Sequence, residues 1–233
     1  MKIALLGYGR MGKEIEKIAT ERGHEIIIKT SGKDNYDISL ADVAIDFSTP
    51  DAAFNNISNC IKNTVPVVSG TTGWLDKYND ITTLCKVHKG SFIYASNFSL
   101  GVNIFFELNR KLAQMMQTQE TYNLEIEEIH HTKKLDAPSG TAITLAEDII
   151  EHSTKKEWSL DSASSKEVIP IKAIRTPDVP GTHTINYSSD IDTIEIKHTA
   201  HNRKGFALGA VIAAEWLQNK VGVYTMKDVL NIN

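Results

Sequence analysis

The chain has 233 residues, of which 41% are hydrophobic and 23% charged, a globular composition that excludes wholesale disorder. Its formal net charge is -4. We therefore expect no nucleic-acid partner, because such proteins normally carry a basic stripe. The apolar runs are far shorter than the roughly 20 residues of a membrane span, so we expect no membrane association.

The start of the chain and its cysteine content predict a cytoplasmic location. Met1 and Lys2 lead directly into an apolar run typical of a buried strand, so we expect no signal peptide. Two cysteines, Cys60 and Cys85, cannot form a disulfide framework or a zinc site by themselves. We therefore expect two reduced thiols.

The first part of the chain alternates short apolar runs with helical patterns. Runs rich in Ile and Val with polar ends are typical of central strands in a parallel sheet that is covered on both faces. We predict a Rossmann-type, doubly wound α/β sheet. Its strands are expected at residues 3–6, 25–29, 43–46, 65–69 and 92–95, and its helices at 11–21, 52–61 and 75–87.

After Gly101 the strands follow one another without intervening helices, which predicts a second α+β domain built on a mixed four-stranded sheet. We place the first domain at residues 1–101 plus 206–233 and the second at 102–205. Residues 153–166 are polar and are interpreted as a surface loop. Helices are expected at 102–116, 141–152, 206–218 and 226–230, and strands at 122–131, 168–176, 182–189 and 193–200.

A glycine-rich loop lies between the first predicted strand and the first predicted helix. This context supports dinucleotide binding, since the motif G-x-G-x-x-G by itself also occurs in purely structural turns. The three glycines allow a tight turn, close approach of the pyrophosphate, and close packing of the helix, whose N-terminus presents free N–H groups. The predicted cofactor-binding residues here are Gly7, Tyr8, Gly9, Arg10, Met11 and Gly12.

The end of the second strand bears on the choice between NADPH and NADH. An acid at that point would bind the ribose 2′-hydroxyl of NAD, but here the chain has Lys29, Ser31 and Lys33. These residues favour a 2′-phosphate, so we expect NADPH to be preferred and NADH to be used as well. The alternative is a solvated loop with two ordinary lysines.

Three later turns end strands at the same edge of the predicted sheet, where ligands of such folds bind. Each offers small hydroxyl or amide groups, and together they would form one continuous rim. The predicted cofactor-binding residues of this rim are Phe47, Ser48, Gly70, Thr71, Thr72, Ala95, Ser96, Asn97 and Phe98.

Residues 128–141 contain the densest collection of functional side chains in the sequence. Ser139 is predicted to cap a helix whose first N–H groups, at Gly140 and Thr141, would attract an anion. Lys134 and one of two adjacent histidines lie just upstream, so this segment could hold a substrate that carries carboxylates. The alternative is a set of surface histidines beside a helix cap.

The histidines also raise the question of a metal. His130 and His131 would point to opposite faces of a strand, unless the strand ends at His130 and the chain turns there. A catalytic zinc needs three convergent protein ligands, and His198 and His201 are distant in sequence. No H-E-x-x-H motif occurs, so we expect no metal.

Taken together, these motifs resemble those of the dihydrodipicolinate reductase (4-hydroxy-tetrahydrodipicolinate reductase) family over the whole chain. The segment Glu-Ile-His-His-Thr-Lys-Lys-Leu-Asp-Ala-Pro-Ser-Gly-Thr at 128–141 is the most specific. The resemblance is also carried by residues 7–12, 46–48, 70–73, 95–103 and 203–210.

The resemblance implies NAD(P)H-dependent reduction of an unsaturated cyclic imine dicarboxylate, formed from 4-hydroxy-tetrahydrodipicolinate, to tetrahydrodipicolinate on the diaminopimelate route to lysine. It implies that the first domain binds the dinucleotide, and that the second binds substrate and assembles the chain into a homotetramer. His130 is similar in position to the general acid of the family and Lys134 to its second catalytic proton donor. Its substrate-binding positions correspond to His131, Gly140, Thr141 and, at the domain junction, Arg203.

Two departures from the family pattern leave points open. The first glycine loop is one residue shorter than in many members, and the segment between the second and third strands lacks a frequent acidic residue. The first departure leaves the geometry of the loop open, and the second leaves the choice between NADH and NADPH open. A non-catalytic NAD(P)-binding, redox-sensing module is the alternative function, and a metal-dependent hydrolase is a third.

Overall fold

The computed structural model describes residues 1–32, 35–202 and 204–232. The chain divides into two compact units, residues 1–103 with 204–233, and residues 104–203. No helix in the described residues is long and apolar enough to cross a membrane. Cys60 and Cys85 are both buried and carry free thiols.

The first unit is built on a six-stranded sheet in which every strand pair is parallel, in the order β11-β5-β4-β3-β1-β2. The prediction of a Rossmann-type sheet is thus confirmed. Two short 3-10 helices lie at Ile38–Leu40 and Leu75–Lys77. The other elements are β1 (Lys2–Leu6), α1 (Arg10–Glu21), β2 (Glu25–Thr30), β3 (Val43–Asp46), α2 (Pro50–Lys62), β4 (Val67–Ser69), α3 (Tyr78–His88), β5 (Ser91–Tyr94), α6 (Lys204–Leu217), β11 (Gly222–Tyr224) and α7 (Met226–Leu230).

Alternate residues of the central strands enter two separate cores. Ile3 and Leu5 of β1 pack in one cluster with residues of α1 and α6, whereas Ala4 and Leu6 pack in another with residues of α2 and α3. Strands buried on both faces need apolar side chains at successive positions, which explains the short continuous runs. This arrangement leaves the carboxyl ends of the strands as the polar edge.

The second unit is built on a mixed sheet of five strands in the order β10-β9-β6-β8-β7. The prediction of a second domain on a mixed sheet is confirmed, but the predicted number of four strands is wrong. The helix α4 (Leu100–Met116) leads the chain into this unit. Its other elements are β6 (Asn123–His130), α5 (Gly140–Glu151), β7 (Glu157–Leu160), β8 (Val168–Arg175), β9 (Gly181–Ser188) and β10 (Thr193–Ala200).

The additional strand, β7, lies within residues 153–166, which were predicted to be a loop. It pairs in parallel with β8 at the edge of the sheet, and neither face of it is fully buried. An edge strand needs only one ladder of backbone hydrogen bonds and can have polar side chains. Its sequence, Glu-Trp-Ser-Leu, therefore lacks the apolar alternation by which strands are predicted.

Candidate active site

The glycine loop passes so close to neighbouring backbone that two of its positions exclude any side chain. Gly7 has a φ of +103°, and a Cβ there would lie 2.1 Å from the carbonyl oxygen of Phe47. A Cβ at Gly12 would lie 2.4 Å from the carbonyl oxygen of Gly7. Helix α1 begins directly after Gly9, so its N-terminal N–H groups open onto this loop.

A buried carboxylate, that of Asp46, joins the strand-end turns into one hydrogen-bonded rim. It accepts hydrogen bonds from Ser48 Oγ (2.7 Å) and Asn56 Nδ2 (2.9 Å), and from Ser69 Oγ (2.9 Å) and Thr71 Oγ1 (2.7 Å). Burial raises the pKa of Asp46, and these four donors oppose that shift. The sequence did not predict this role for Asp46, because it depends on the pairing of β3 with β4 and on the packing of α2 beside them.

A cavity of about 360 Å³ lies between the glycine loop and this rim. Its walls include two glycines and three hydroxyl-bearing side chains, which allow a pyrophosphate to approach closely, and it lies at the N-terminus of α1. The site therefore fits a dinucleotide. The cavity is lined by Gly9, Arg10, Met11, Phe47, Ser48, Pro50, Gly70, Thr71 and Thr72.

The third turn of the rim follows β5, and most of its side chains contact other residues of the protein. Phe98 is only 2% exposed and belongs to the core, with its ring centroid 5.8 Å from that of Phe47. Asn97 Oδ1 accepts from the backbone N–H of Ser99 (2.9 Å), whereas Ser96 is exposed. The predicted contacts of residues 95–98 with the cofactor remain a prediction.

At the end of β2, Lys29 is paired with an acid that the sequence did not point out. Lys29 Nζ lies 2.6 Å from Glu16 Oε1 and 5.3 Å from the centre of the Tyr8 ring, and the Tyr8 hydroxyl donates to Glu16. Hydrogen bonds from Lys29 and Tyr8 hold the pKa of Glu16 below its ordinary value. Ser31 is exposed, and Lys33 lies outside the described residues.

In the second unit, β6 ends at His130 and the chain turns immediately. His130 is the last buried residue of the strand, and the following His131 is half-buried in the turn. The turn is closed by a hydrogen bond from the N–H of Lys134 to the carbonyl of His131 (3.0 Å). Lys134 Nζ lies 2.7 Å from Asp136 Oδ2, and the lysine side chain is 21% exposed.

The imidazole of His130 lies among several charged and titratable groups. Its Nδ1 is 3.5 Å from Glu128 Oε2, and its ring contacts that of His183 edge-on at 5.1 Å. Burial lowers the pKa of His130, the carboxylate of Glu128 opposes this, and three nearby cationic or titratable side chains, Lys134, Arg175 and His131, lower it further. These groups together favour the neutral form of His130 in the free protein.

Helix α5 begins beside this histidine, with Ser139 as the predicted N-cap. Ser139 Oγ accepts from the N–H of Ala142 (3.2 Å), and Gly140 and Thr141 form the first turn. The N–H groups of a first helical turn attract anions. The structure thus brings His130, Lys134 and the N-terminus of α5 together on one segment, whereas Arg203 lies outside the described residues.

Glu128 and two residues that the sequence did not single out, Arg175 and His183, surround His130. Glu128 pairs across the sheet with His183, and His130 pairs with Arg175. Only the register of three strands brings these residues together, so the sequence had no signal for Arg175 or His183.

Ligand atoms of Glu128, His130 and His183 lie within 4.8 Å of one another, a spacing that could hold a metal ion. Both oxygens of Glu128 already accept hydrogen bonds, one of them from the Arg175 guanidinium. A cation so close opposes binding of a second one. We therefore interpret the cluster as an ion-pair network, and the expectation of no metal stays a prediction.

The first unit has a cavity that fits a dinucleotide. The second unit has titratable side chains beside a helix N-terminus that attracts anions. Together these features are typical of a nicotinamide-dependent oxidoreductase. Comparison with known proteins shows to which family within this class the chain belongs. Residues 26–98 match the family model described as dihydrodipicolinate reductase, N-terminus, and residues 101–230 match the one described as dihydrodipicolinate reductase, C-terminus. The chain belongs to the dihydrodipicolinate reductase family.

Individual relatives extend over nearly the whole chain. The chain is 60% identical to 4-hydroxy-tetrahydrodipicolinate reductase of Christiangramia forsetii over 99% of its own length and 98% of that protein. It is 38% identical to the same enzyme of Thermosipho africanus, with the same coverage. Among solved structures, the dipicolinate-bound dihydrodipicolinate reductase from Paenisporosarcina is similar, with a TM-score of 0.78, 25% identity and 97% of each chain covered.

Proposed function

We propose that residues 128–141 form the catalytic segment of the protein, and that residues 1–101 plus 206–233 bind the dinucleotide while residues 102–205 bind the substrate. The activity of the chain is that of a 4-hydroxy-tetrahydrodipicolinate reductase, an NAD(P)H-dependent oxidoreductase of lysine and diaminopimelate biosynthesis. The observation that carries this proposal is the placement of His130, Lys134 and the N-terminus of α5 on one segment.

The substrate is an unsaturated imine with two carboxylates, which need cationic or N–H partners. We assign one carboxylate to the N–H groups of Gly140 and Thr141 and to His131, because a helix N-terminus stabilises an anion by about 0.3–1 kcal/mol. Lys134 adds a charge whose hydrogen bonds to a carboxylate are about twice as strong as neutral ones. Arg203 is proposed as a further partner from the resemblance.

When bound, the cofactor would supply a hydride to the carbon–carbon double bond that is conjugated with the imine, and the residues of the glycine loop and rim would hold it. The reduction also needs a proton on the neighbouring carbon, and we propose that His130 and Lys134 provide it. His130 would take up its proton when the two substrate carboxylates offset the cationic groups around its ring.

The decisive experiment measures loss of NAD(P)H absorbance that depends on freshly generated 4-hydroxy-tetrahydrodipicolinate. Cofactor binding without turnover would support the redox-sensing module instead. Activity that is abolished by exhaustive chelation would support a metal-dependent enzyme, because the proposed mechanism uses no metal.

We further propose that NADPH is preferred over NADH by about 10-fold, which corresponds to about 1.4 kcal/mol. The Lys29–Glu16 pair lies at the surface, where solvent screening keeps such pairs weak, so a 2′-phosphate can replace Glu16 as the partner of Lys29. Charge-assisted hydrogen bonds from Lys29 and Ser31 would then supply the preference.

Kinetics at two ionic strengths check this preference through the ratio of KM values for NADH and NADPH. The ratio should fall as salt rises, because exposed charges are screened. Glu16→Gln should raise the ratio by freeing Lys29, and Lys29→Ala should lower it. Glu21→Gln, an exposed substitution on the same helix, is the matched control. A clear preference for NADH in the unaltered protein would contradict the proposal.

The second sheet is also the proposed site of assembly into a homotetramer. Its edge strand β10 is exposed at several positions, including Ile194 at 38%, and exposed edges of this kind are usually covered. Light scattering at micromolar concentration should give four times the chain mass of 25.8 kDa. A monomer would contradict this proposal.

The cytoplasmic location and the absence of nucleic-acid and membrane partners remain predictions.

A further inference from the structure

Glu128 is a charged side chain with no exposed surface, and burying a carboxylate is costly unless it is paired. Its two oxygens have different partners. Oε1 accepts from Arg175 Nη2 (3.1 Å), and Oε2 accepts from the backbone N–H of Ser139 (3.0 Å). The carboxylate therefore joins β6 to β8 and to the N-cap of α5.

Arg175 extends this connection to the turn that carries Lys134. Its Nη2 also donates to the carbonyl of Asp136 (2.7 Å), and its Nε donates to the carbonyl of Lys134 at 3.4 Å. The planar guanidinium has five N–H donors in a fixed fork, so it can hold a carboxylate and several carbonyls at once. Through Arg175, Glu128 thus fixes the backbone of residues 134–136.

The same carboxylate faces two histidines with different behaviour. Oε2 of Glu128 is 3.5 Å from His130 Nδ1 and 3.8 Å from His183 Nε2. Burial lowers the pKa of His183 to about 3, so that imidazole is neutral, and its Nε2 forms a hydrogen bond with Ser139 Oγ (3.1 Å). Of the two histidines, His130 is therefore the one whose imidazolium this carboxylate can stabilise.

We propose that Glu128 is a positioning residue of the reductase: its single carboxylate orients His130, the anion-binding start of α5 and, through Arg175, the turn that carries Lys134. This inference rests on the proposed function, since it assigns the catalytic roles to His130 and Lys134. Glu128 does not need to touch the substrate. It couples the proton donors to the carboxylate site, so that loss of its charge disturbs both.

Two variants with opposite electrostatic effects test the proposal. Glu128→Gln keeps the shape but removes the negative charge, and Arg175→Met removes the cation and its hydrogen bonds. Both should lower kcat by about 10²-fold, because misplacing a catalytic group by about 1 Å has an effect of that size. Neither should change KM for the dinucleotide, and Glu128→Asp should recover part of the activity.

The titration of His130 separates positioning from a merely structural effect. Groups that face His130 are Glu128 on its own strand, His131 and Lys134 on the turn, Arg175 on β8 and His183 on β9. NMR of labelled imidazoles in the free protein should show His130 titrating lower, by about one pH unit, in Glu128→Gln. The Arg175→Met variant should shift it upward, and the exposed Glu147→Gln on α5 should leave it unchanged.

Calorimetry with dipicolinate completes the test without turnover. Glu128→Gln should weaken dipicolinate binding by about 10-fold, since the single amide oxygen can accept from either the Ser139 N–H or the Arg175 guanidinium, but not from both. Unchanged titration of His130 together with unchanged dipicolinate affinity and kcat would overturn the inference. Failure of the unaltered protein to reduce the substrate would overturn the proposed function instead. The titration of His130 and the affinity for dipicolinate do not depend on turnover, so they would still decide the role of Glu128.

Discussion

Replacing Lys134 with alanine is expected to lower kcat by about 10²–10⁴-fold, the usual contribution of a proton donor in the transition state. Lys134 Nζ is held 2.7 Å from Asp136, and its side chain is only 21% exposed, so its proton is presented from a fixed position. KM for the dinucleotide should change little, because the glycine loop belongs to the first unit. Steady-state kinetics with both substrates varied measure the two effects separately.

Lys133→Ala is the matched control for this prediction. Lys133 has the same charge, occupies the adjacent position and is exposed. A loss confined to Lys134→Ala would identify the ammonium at that position as the active group. A decrease of less than about 10-fold for Lys134→Ala would argue against its assignment as a proton donor.

The His130→Gln substitution is expected to cause a loss of similar size, because glutamine fills much of the space but cannot donate a proton as an imidazolium does. Burial lowers the pKa of His130 in the free protein. A general acid works in its protonated form, so the rate should fall as the pH rises through its pKa. In kcat/KM, which reports the free protein, this fall should occur below the ordinary histidine value.

In kcat, which reports the complex with substrate, the same fall should occur at higher pH, because two nearby carboxylates favour the imidazolium. Profiles of kcat and kcat/KM measured from acid to neutral pH check this difference. Identical profiles would mean that the substrate does not affect the protonation of His130. In His130→Gln, the decrease in rate with rising pH should be absent from both the kcat and the kcat/KM profiles.

The first unit was predictable because its sequence signals are local. Strands such as β3, buried on both faces, are marked by continuous apolar residues, and the turn at Gly7 is marked by a glycine in a conformation that other residues rarely adopt. By contrast, β7 and β11 are short edge strands, held mainly by backbone pairing with β8 and β5. Backbone pairing leaves little trace in the side chains, so neither strand was predicted.

The residues of the candidate site also fall into two groups, those that the sequence indicates and those that only the tertiary structure brings together. His130, Lys134 and Ser139 follow one another along the chain, so their chemistry could be recognised from the sequence. Arg175 is 47 residues from Glu128, and only the pairing of β6 with β8 brings them together. The partner of Lys29, Glu16, lies on the helix before it. Such pairings depend on tertiary structure, which local patterns do not encode.

The hydrogen bonds around Asp46 also have a thermodynamic consequence. Ser48, Ser69 and Thr71 donate to one buried carboxylate, and the N–H of Ser48 donates to Thr71 Oγ1 at 2.9 Å. Ordering flexible loops and side chains at a binding site costs conformational entropy. Here that conformational entropy is lost when the first unit folds. A dinucleotide that reaches this rim therefore meets a preorganised surface, and its binding should require little additional ordering of the protein.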